Sequence, residues 1–402
     1  LPAGVDDLGE VLAGVDPQPG LPEAAVALDD DATIFYTSGT TGFPKGAVGS
    51  HRNILTNLMN LAFWSQATAL AAEKRGLPGG GSGRTADGDT PPAMLMTVPL
   101  FHVTGCHSIM LPVLAGGGKL VLMYKWNPER ALELIERERI TGFSGVPSMS
   151  WDLLNSPDFD KRDTSSLRSV GGGGAPAPPE LVRRVDKNFA NAGPSVGYGL
   201  TETSSVTTMN AGPWYLERPD SVGVPMPVVE LRVTDDDGNP LPVGQVGELW
   251  IKGPNVIKGY FNKPEATAES ITDGWLHSGD IARIGPDGFV YIVDRKKDVV
   301  IRGGENVYCA EVEAAVYEYP GIADAAVFGV PHERLGEEVA LAVVPKAGTH
   351  LDPDDLRQFL ASKLAGFKVP AHIRVYDGEL PRNPAGKILK RQLREELAGS
   401  AG

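Results

Sequence analysis

Several stretches of this 402-residue chain gather residues able to handle phosphates, a planar base or a sugar. In Tyr36-Thr37-Ser38-Gly39-Thr40-Thr41-Gly42-Phe43-Pro44-Lys45-Gly46, small residues free backbone N–H groups, hydroxyls add donors and Lys45 adds a cation. That is equipment for a polyphosphate. It is not a Walker A loop, because Pro44 and Gly46 flank the lysine where that motif needs Gly and then Ser or Thr. A solvated Gly/Thr turn is the plain alternative. In Val196-Gly197-Tyr198-Gly199-Leu200-Thr201-Glu202-Thr203, a tyrosine between glycines can lie flat on a ring, a carboxylate can hold a divalent cation and hydroxyls can touch a phosphate. The alternative is a strand terminus with a buried tyrosine.

Gly274-Trp275-Leu276-His277-Ser278-Gly279-Asp280, followed by Asp294-Arg295, places a carboxylate beside a strand end, where it can accept from both hydroxyls of a ribose. His277 reads as a structural hydrogen-bonding group of the turn. Near the C-terminus, Pro381-Arg382-Asn383-Pro384-Ala385-Gly386-Lys387-Ile388 carries a lysine on a Gly/Pro loop. Lys387 could set a point charge against a carboxylate attacking phosphorus, or simply be solvated. Pro99-Leu100-Phe101-His102-Val103-Thr104-Gly105 and nearby His107 have no acidic partner at zinc spacing. No Gly-x-Gly-x-x-Gly follows a strand, which disfavours a dinucleotide enzyme.

These residues need a scaffold, and strand–helix alternation supplies one. A β-branched and aromatic run at 33–36 enters the first polar loop, and helical spacing follows from Asn53 through Ile54, Leu58, Leu61 and Ala62. Residues 72–92 are turn-rich and read as a surface insertion. Strands are expected at 94–98, 140–146 and 167–170, and helices at 128–139, capped by Asn127 with Pro128 in the first turn, and at 180–189. This pattern predicts a mainly parallel α/β sheet. After Val228, short strands joined by Asp237-Gly238-Asn239-Pro240 and Gly285-Pro286-Asp287-Gly288 turns read as a β-rich lobe. The charged run Asp294-Arg295-Lys296-Lys297-Asp298 marks a junction, and beyond it helix and strand alternate in an α+β module.

The net charge of −14, from 37 basic and 51 acidic residues, argues against a broad nucleic-acid or anionic-membrane surface. Cys106 and Cys309 lack metal-type spacing, so neither a disulfide framework nor a zinc site is expected, and a reducing cytoplasm fits. No apolar run reaches membrane-spanning length. Leu1 rather than Met at the start suggests a fragment or a processed product.

Together, YTSGTTGFPKG, PLFHVTG, GYGLTET, GELWIKGPNVIKGYFN, GWLHSGDIARIGPDGFVYIVDRKKD and NPAGKI resemble, in wording and order, the core motifs of the adenylate-forming superfamily of acyl-CoA synthetases, adenylation domains and luciferases. The resemblance runs from about residue 33 to 393. It implies a large N-terminal domain over 1–294, shorter at its start than the family's, a hinge at 295–298 with Lys297 as pivot, and a small mobile C-terminal domain over 299–402. It also implies ATP, Mg²⁺ and coenzyme A as cofactors. Thr37, Ser38, Gly39, Thr40, Thr41 and Lys45 would hold the β- and γ-phosphates, and Tyr198 and Gly199 would pack on adenine with Gly173, Gly174 and Ala175. Thr201 would touch the α-phosphate, Glu202 would bind Mg²⁺, and Asp280 with Arg295 would grip the ribose. Lys387 would bridge the acid and the α-phosphate, and His102, Gly174 and Thr203 would border the acyl pocket.

The expected reaction is ATP-dependent joining of a fatty or other hydrophobic acid to CoA. Partners are then small molecules, not nucleic acid or membrane, and a homodimer is compatible. Two rivals stand beside it: an adenylation enzyme loading a carrier protein, for which no pocket carboxylate is evident, and an inactive nucleotide-binding remnant, suggested by the short N-terminal region. Arg302, where the family usually has a small residue, leaves the thiol contacts open.

Overall fold

The computed structural model describes residues 13–14, 24–37, 44–74, 91–174, 177–382 and 387–399. Strand β1 (Asp31–Thr37) pairs antiparallel with β2 (Lys45–Ser50), in a register that sets Thr37 opposite Lys45. Helix α1 (His51–Lys74) follows directly. It starts ahead of the expected Asn53 because Ser50 and Asn53 cap each other: the Ser50 hydroxyl accepts the Asn53 amide, and Asn53 Oδ1 accepts the Ser50 amide at 2.7 Å.

The parallel sheet is present as expected. It is built from β3 (Ala93–Met96), β4 (Lys119–Leu122), β5 (Gly142–Gly145), β6 (Ser169–Gly173) and β7 (Gly193–Tyr198) in the order β4-β3-β5-β6-β7. Antiparallel β8 (Thr208–Ala211) and β9 (Val224–Pro225) extend it. Helix α2 (Pro128–Glu138) begins where Asn127 accepts the Arg130 amide at 2.7 Å. Its Leu132 and Ile135, with Leu181 and Val185 of α3 (Pro179–Asn188), cover Leu95, Phe143 and Val170 of the strands. A cluster of this kind forms because one helical stripe and one sheet face must leave water together.

The β-rich part contains β10 (Glu230–Thr234), β11 (Gly247–Lys252), β12 (Gly259–Tyr260), β13 (Ile271–Thr272), β14 (Trp275–Ile284) and β15 (Val290–Arg295). Its sheet runs β10-β11-β14-β13, with β15 also on β14. Strand β12 leaves that sheet and pairs with β2. Gly238 and Gly288 take φ of +82° and +81° in the expected turns, a region costly for any residue with a Cβ.

The last sheet runs β17-β16-β19-β18, with β20 parallel to β19; its strands are β16 (Val300–Arg302), β17 (Glu305–Val307), β18 (Ile322–His332), β19 (Gly336–Pro345) and β20 (His372–Val375). Alternation along β18 divides its faces. Ala325 and Val327 pack with Val312 and Val316 of α4 (Cys309–Tyr317), whereas Ala326, Phe328 and Val330 pack with Leu393 of α5 (Lys390–Gly399). Among the described residues, no helix is long and apolar enough to cross a membrane.

Candidate active site

Two chains of contacts, joined by the short stretch from Tyr198 to Glu202, link the separate motifs. Lys45 opens β2, and its Nζ stands over the Tyr260 ring, 5.0 Å from the centroid. Tyr260 reaches that place because β12 pairs with β2, setting Tyr260 opposite Ala47. Its hydroxyl donates to Glu202 Oε1 at 2.7 Å. Burial, then the neighbouring carboxylate, drives the Tyr260 phenol well up from its ordinary value, so it remains a donor. Four residues before Glu202, at the end of β7, the Tyr198 hydroxyl donates to Asp280 Oδ2 at 2.6 Å. The other Asp280 oxygen takes Arg295 Nε at 2.7 Å, as the β14–β15 register places these two residues opposite each other.

Asp280 is 1% exposed. Burial raises its pKa, while Arg295 and the Tyr198 hydroxyl pull it back down. Lys387 feels the charges of Arg295, Lys297, Asp298 and Asp280. It keeps solvent-exposed surface, yet surrounding protein strips part of its hydration, and the repulsion of Arg295 and Lys297 adds to this. Its pKa is lowered to about 8.

The glycines of these motifs answer to specific contacts. Gly173 lies opposite Gly197 where β6 and β7 end, and a Cβ on Gly173 would meet the Gly197 carbonyl at 3.0 Å. Gly174 has φ of +75°. A Cβ on Gly199 would fall 1.5 Å from the Ser205 carbonyl oxygen, so only glycine lets the Leu200–Ser205 loop fold back against Tyr198. The crevice beyond the carboxyl ends of parallel strands is where α/β sheets commonly bind ligands. On the facing sheet, Trp250 stacks on His277 at 3.8 Å and 18°. Arg232 lies over both Trp250 and Trp275. This pile packs around the start of β14, the strand that carries Asp280.

A profile of the AMP-binding enzyme family matches residues 5–261, and one of the AMP-binding enzyme C-terminal domain matches residues 311–387. This chain belongs to the adenylate-forming superfamily, in its acyl-CoA ligase branch. It is 40% identical over 390 residues to a feruloyl-CoA synthase of an Amycolatopsis species, an alignment spanning 97% of this chain and 74% of that one. It is 38% identical to a long-chain-fatty-acid–CoA ligase of Bacillus subtilis, across 91% of this chain and 62% of that protein. The structure of ATP-bound MatB from Rhodopseudomonas palustris superposes with a TM-score of 0.84 at 34% identity, covering 96% of this chain and 72% of that one.

Several of the family's expected site positions of this ligase-branch chain fall together. Lys45, Glu202, Tyr198, Asp280 and Arg295 lie along these contacts, Lys387 feels the charges of Asp280 and Arg295, and Gly173, Gly174 and Gly199 stand at the adjoining strand ends. Thr37 closes the base of the first loop, its hydroxyl donating to the Lys45 carbonyl at 3.4 Å. Ser38, Gly39, Thr40, Thr41 and Ala175 lie outside the described residues. Thr201 opens the short 3₁₀ turn Thr201–Thr203. Thr203, expected in the acyl pocket, is instead turned inward: it has 0% exposure, and its hydroxyl accepts the Leu200 amide at 2.9 Å and the Thr207 hydroxyl at 3.0 Å. It caps the turn that presents Glu202.

His102 sits half-buried before the π-helix Thr104–Met110, and its Nδ1 accepts the Thr104 amide at 3.2 Å. The neutral ring therefore carries its proton on Nε2, and burial lowers its pKa. His107 takes the opposite tautomer, since its Nδ1 faces the Ser204 carbonyl at 3.3 Å and must donate. His277 hydrogen-bonds the Glu269 backbone, the kind of contact expected of it, and also stacks on Trp250. Lys297 lies on the turn after β15, with its pKa lowered by partial burial. Sequence reasoning missed Tyr260, although it stands in a quoted motif, because nothing local says that β12 joins β2.

Proposed function

We propose that this chain activates a hydrophobic carboxylic acid with ATP as an acyl-adenylate and passes the acyl group to coenzyme A. The observation that supports this reading is the pair of contact chains Lys45–Tyr260–Glu202 and Tyr198–Asp280–Arg295, joined by the short stretch from Tyr198 to Glu202, with Lys387 feeling the charges of Asp280 and Arg295. In the first step a carboxylate oxygen bonds to the α-phosphorus as pyrophosphate leaves. In the second the thiol sulfur bonds to the acyl carbon, AMP leaves, and the thiol proton passes to solvent.

Lys387 lies between the two anions and offsets their repulsion as they meet. Asp280 has lone pairs left after Tyr198 and Arg295, enough to accept from ribose hydroxyls. Glu202 keeps one oxygen clear of Tyr260 and suits Mg²⁺, which usually takes one or two carboxylates and completes its shell with phosphates and water. That ion would neutralise phosphate charge. Thr201 and the loop from Thr37 to Lys45 would hold the phosphates, Tyr198 would pack on adenine, and His102, neutral near pH 7, would border the acyl pocket. Lys297 would be the pivot on which residues 299–402 swing between the two steps.

Fatty acids are the first substrate class, supported by similarity to long-chain and medium-chain acyl-CoA ligases. Aryl acids are the second, supported by 40% identity to feruloyl-CoA synthases. A cytoplasmic setting suits these substrates. Incubating the protein with ATP, Mg²⁺, CoA and a panel of fatty, arylpropenoic and short dicarboxylic acids, with pyrophosphate and thioester both measured, tests the proposal. Turnover with the first two groups is expected. Pyrophosphate without thioester would overturn the CoA assignment in favour of carrier-protein loading, and ATP binding without turnover would favour a remnant.

A further inference from the structure

Lys390, at the start of α5, is not one of the residues assigned above. Its Nζ lies 2.8 Å from Glu313 Oε1 on α4, and the same oxygen accepts the Val327 amide of β18 at 2.9 Å. Burial, the largest influence, favours the neutral amine, but Glu313, Cys309 and Asp298 together outweigh it and lift the Lys390 pKa above its ordinary value. The start of α4 is anchored in turn. The Asp294 carboxylate accepts the Cys309 amide and the Arg295 amide, and Cys309 Sγ donates to the Asp298 carbonyl at 2.9 Å.

These contacts close a ring. From Asp280 it passes through Arg295 to Asp294, onto the start of α4 at Cys309, along one helical turn to Glu313, across to Lys390, and back three residues to Lys387, which senses Asp280 and Arg295. The other side of the Lys387 segment is pinned as well: Arg382 bridges Ile388, pairs with Asp324 at 2.5 Å, and the Leu389 amide donates to the Pro381 carbonyl at 2.8 Å.

We infer that Lys390, through its ion pair with Glu313, is a positioning residue that sets Lys387 against the Asp280–Arg295 end of the site. The inference rests on the ligase reading. Lys387 is a long, flexible cation, and a misplacement of about 1 Å in a positioned group can cost on the order of 100-fold in rate. The contacts that fix its backbone therefore decide whether its charge arrives where negative charge develops.

The test uses Lys390→Met, which keeps the apolar stem, Lys390→Arg and Glu313→Gln. With an acid that wild type accepts, ATP–pyrophosphate exchange should fall roughly 10- to 100-fold in kcat for Lys390→Met. KM for ATP should hold, and thioester formation from supplied acyl-adenylate should change little. Glu313→Gln should fall in the same direction, and Lys390→Arg should restore most of the rate. In a Lys387→Ala background, Lys390→Met should cost nothing further, because it acts through the missing amine. Multiplying losses, or equal loss in both half-reactions, would overturn the inference.

A second readout needs no turnover, so it separates failure of this inference from failure of the ligase reading. The pH profile of amine labelling at Lys387, followed by peptide mass spectrometry, should have its midpoint near 8 in wild type. In Lys390→Met it should move up toward the ordinary lysine range, and an unmoved profile would count against the proposal.

Discussion

At the scale of the residue, the site works by placing groups whose charge states differ although they lie close together. Asp280 is buried but kept ionisable by Arg295, Tyr198 and Tyr260 are kept protonated by burial beside carboxylates, and Lys387 is left with a weakened hold on its proton. The sign for Lys387 is direct. Its pKa is depressed to about 8, so the cation is present below that pH and disappears as pH rises through it. Since kcat/KM reports the free enzyme, kcat/KM for the pyrophosphate-releasing step should be level toward neutrality and fall above about pH 8. A profile that stays level to pH 10 would show that Lys387 does not set that limb. Tyr260 and Thr203 show another side of this scale: neither needs to touch substrate to matter, since one shares its ring with Lys45 and its hydroxyl with Glu202, and the other caps the turn that carries Glu202.

At the scale of the element, close backbone approach shapes the site more than helix or strand propensity does. The loop after β7 turns back so tightly that Ser205 occupies the space a side chain at Gly199 would need, and Ser204 and Ser205 both adopt positive φ. Strain at Ser204 and Ser205 is tolerated because the Ser205 amide donates to the Leu200 carbonyl and Thr203 accepts the Leu200 amide. Gly199→Ala should therefore destabilise the fold by about 3 kcal/mol, the upper end of ordinary overpacking. Thermal or denaturant unfolding measures this, and a variant as stable as wild type would refute the packing argument. The start of β14 is built differently, from the Trp250–His277 stack with Arg232 between two indoles, so its position depends on ring faces rather than on tight turns.

At the scale of the whole molecule, the turn after β15 is the place where the β-rich sheet hands over to the β16–β20 sheet. Asp298 and Val299 amides both return to the Arg295 carbonyl, at 2.9 and 3.1 Å, so a tight turn joins the two. If Lys297 is the pivot, Lys297→Pro should restrict the swing and slow thioester formation selectively, because proline holds φ near −65°. Comparing the two half-reactions checks this: an unchanged overall rate, or a loss confined to pyrophosphate release, would argue against a pivot there.

Much of this architecture was legible locally. The Asn127–Pro128 start of α2, the glycine turns at Gly238 and Gly288 and the parallel strand–helix order all depend on residues a few positions apart, and each appeared where expected. The Ser50–Asn53 pair was a local signal too, and it moved the start of α1 ahead of the periodic residues. By itself the sequence determined which motifs the chain carries, and hence its family. Only the tertiary structure decided which side chains meet: Tyr260 with Glu202, Tyr198 with Asp280, Lys390 with Glu313, and Thr203 with the turn interior rather than a pocket. The reason is physical, since caps and turns are satisfied within one or two turns of chain, whereas these longer pairings follow from strand register and helix docking that no short stretch encodes.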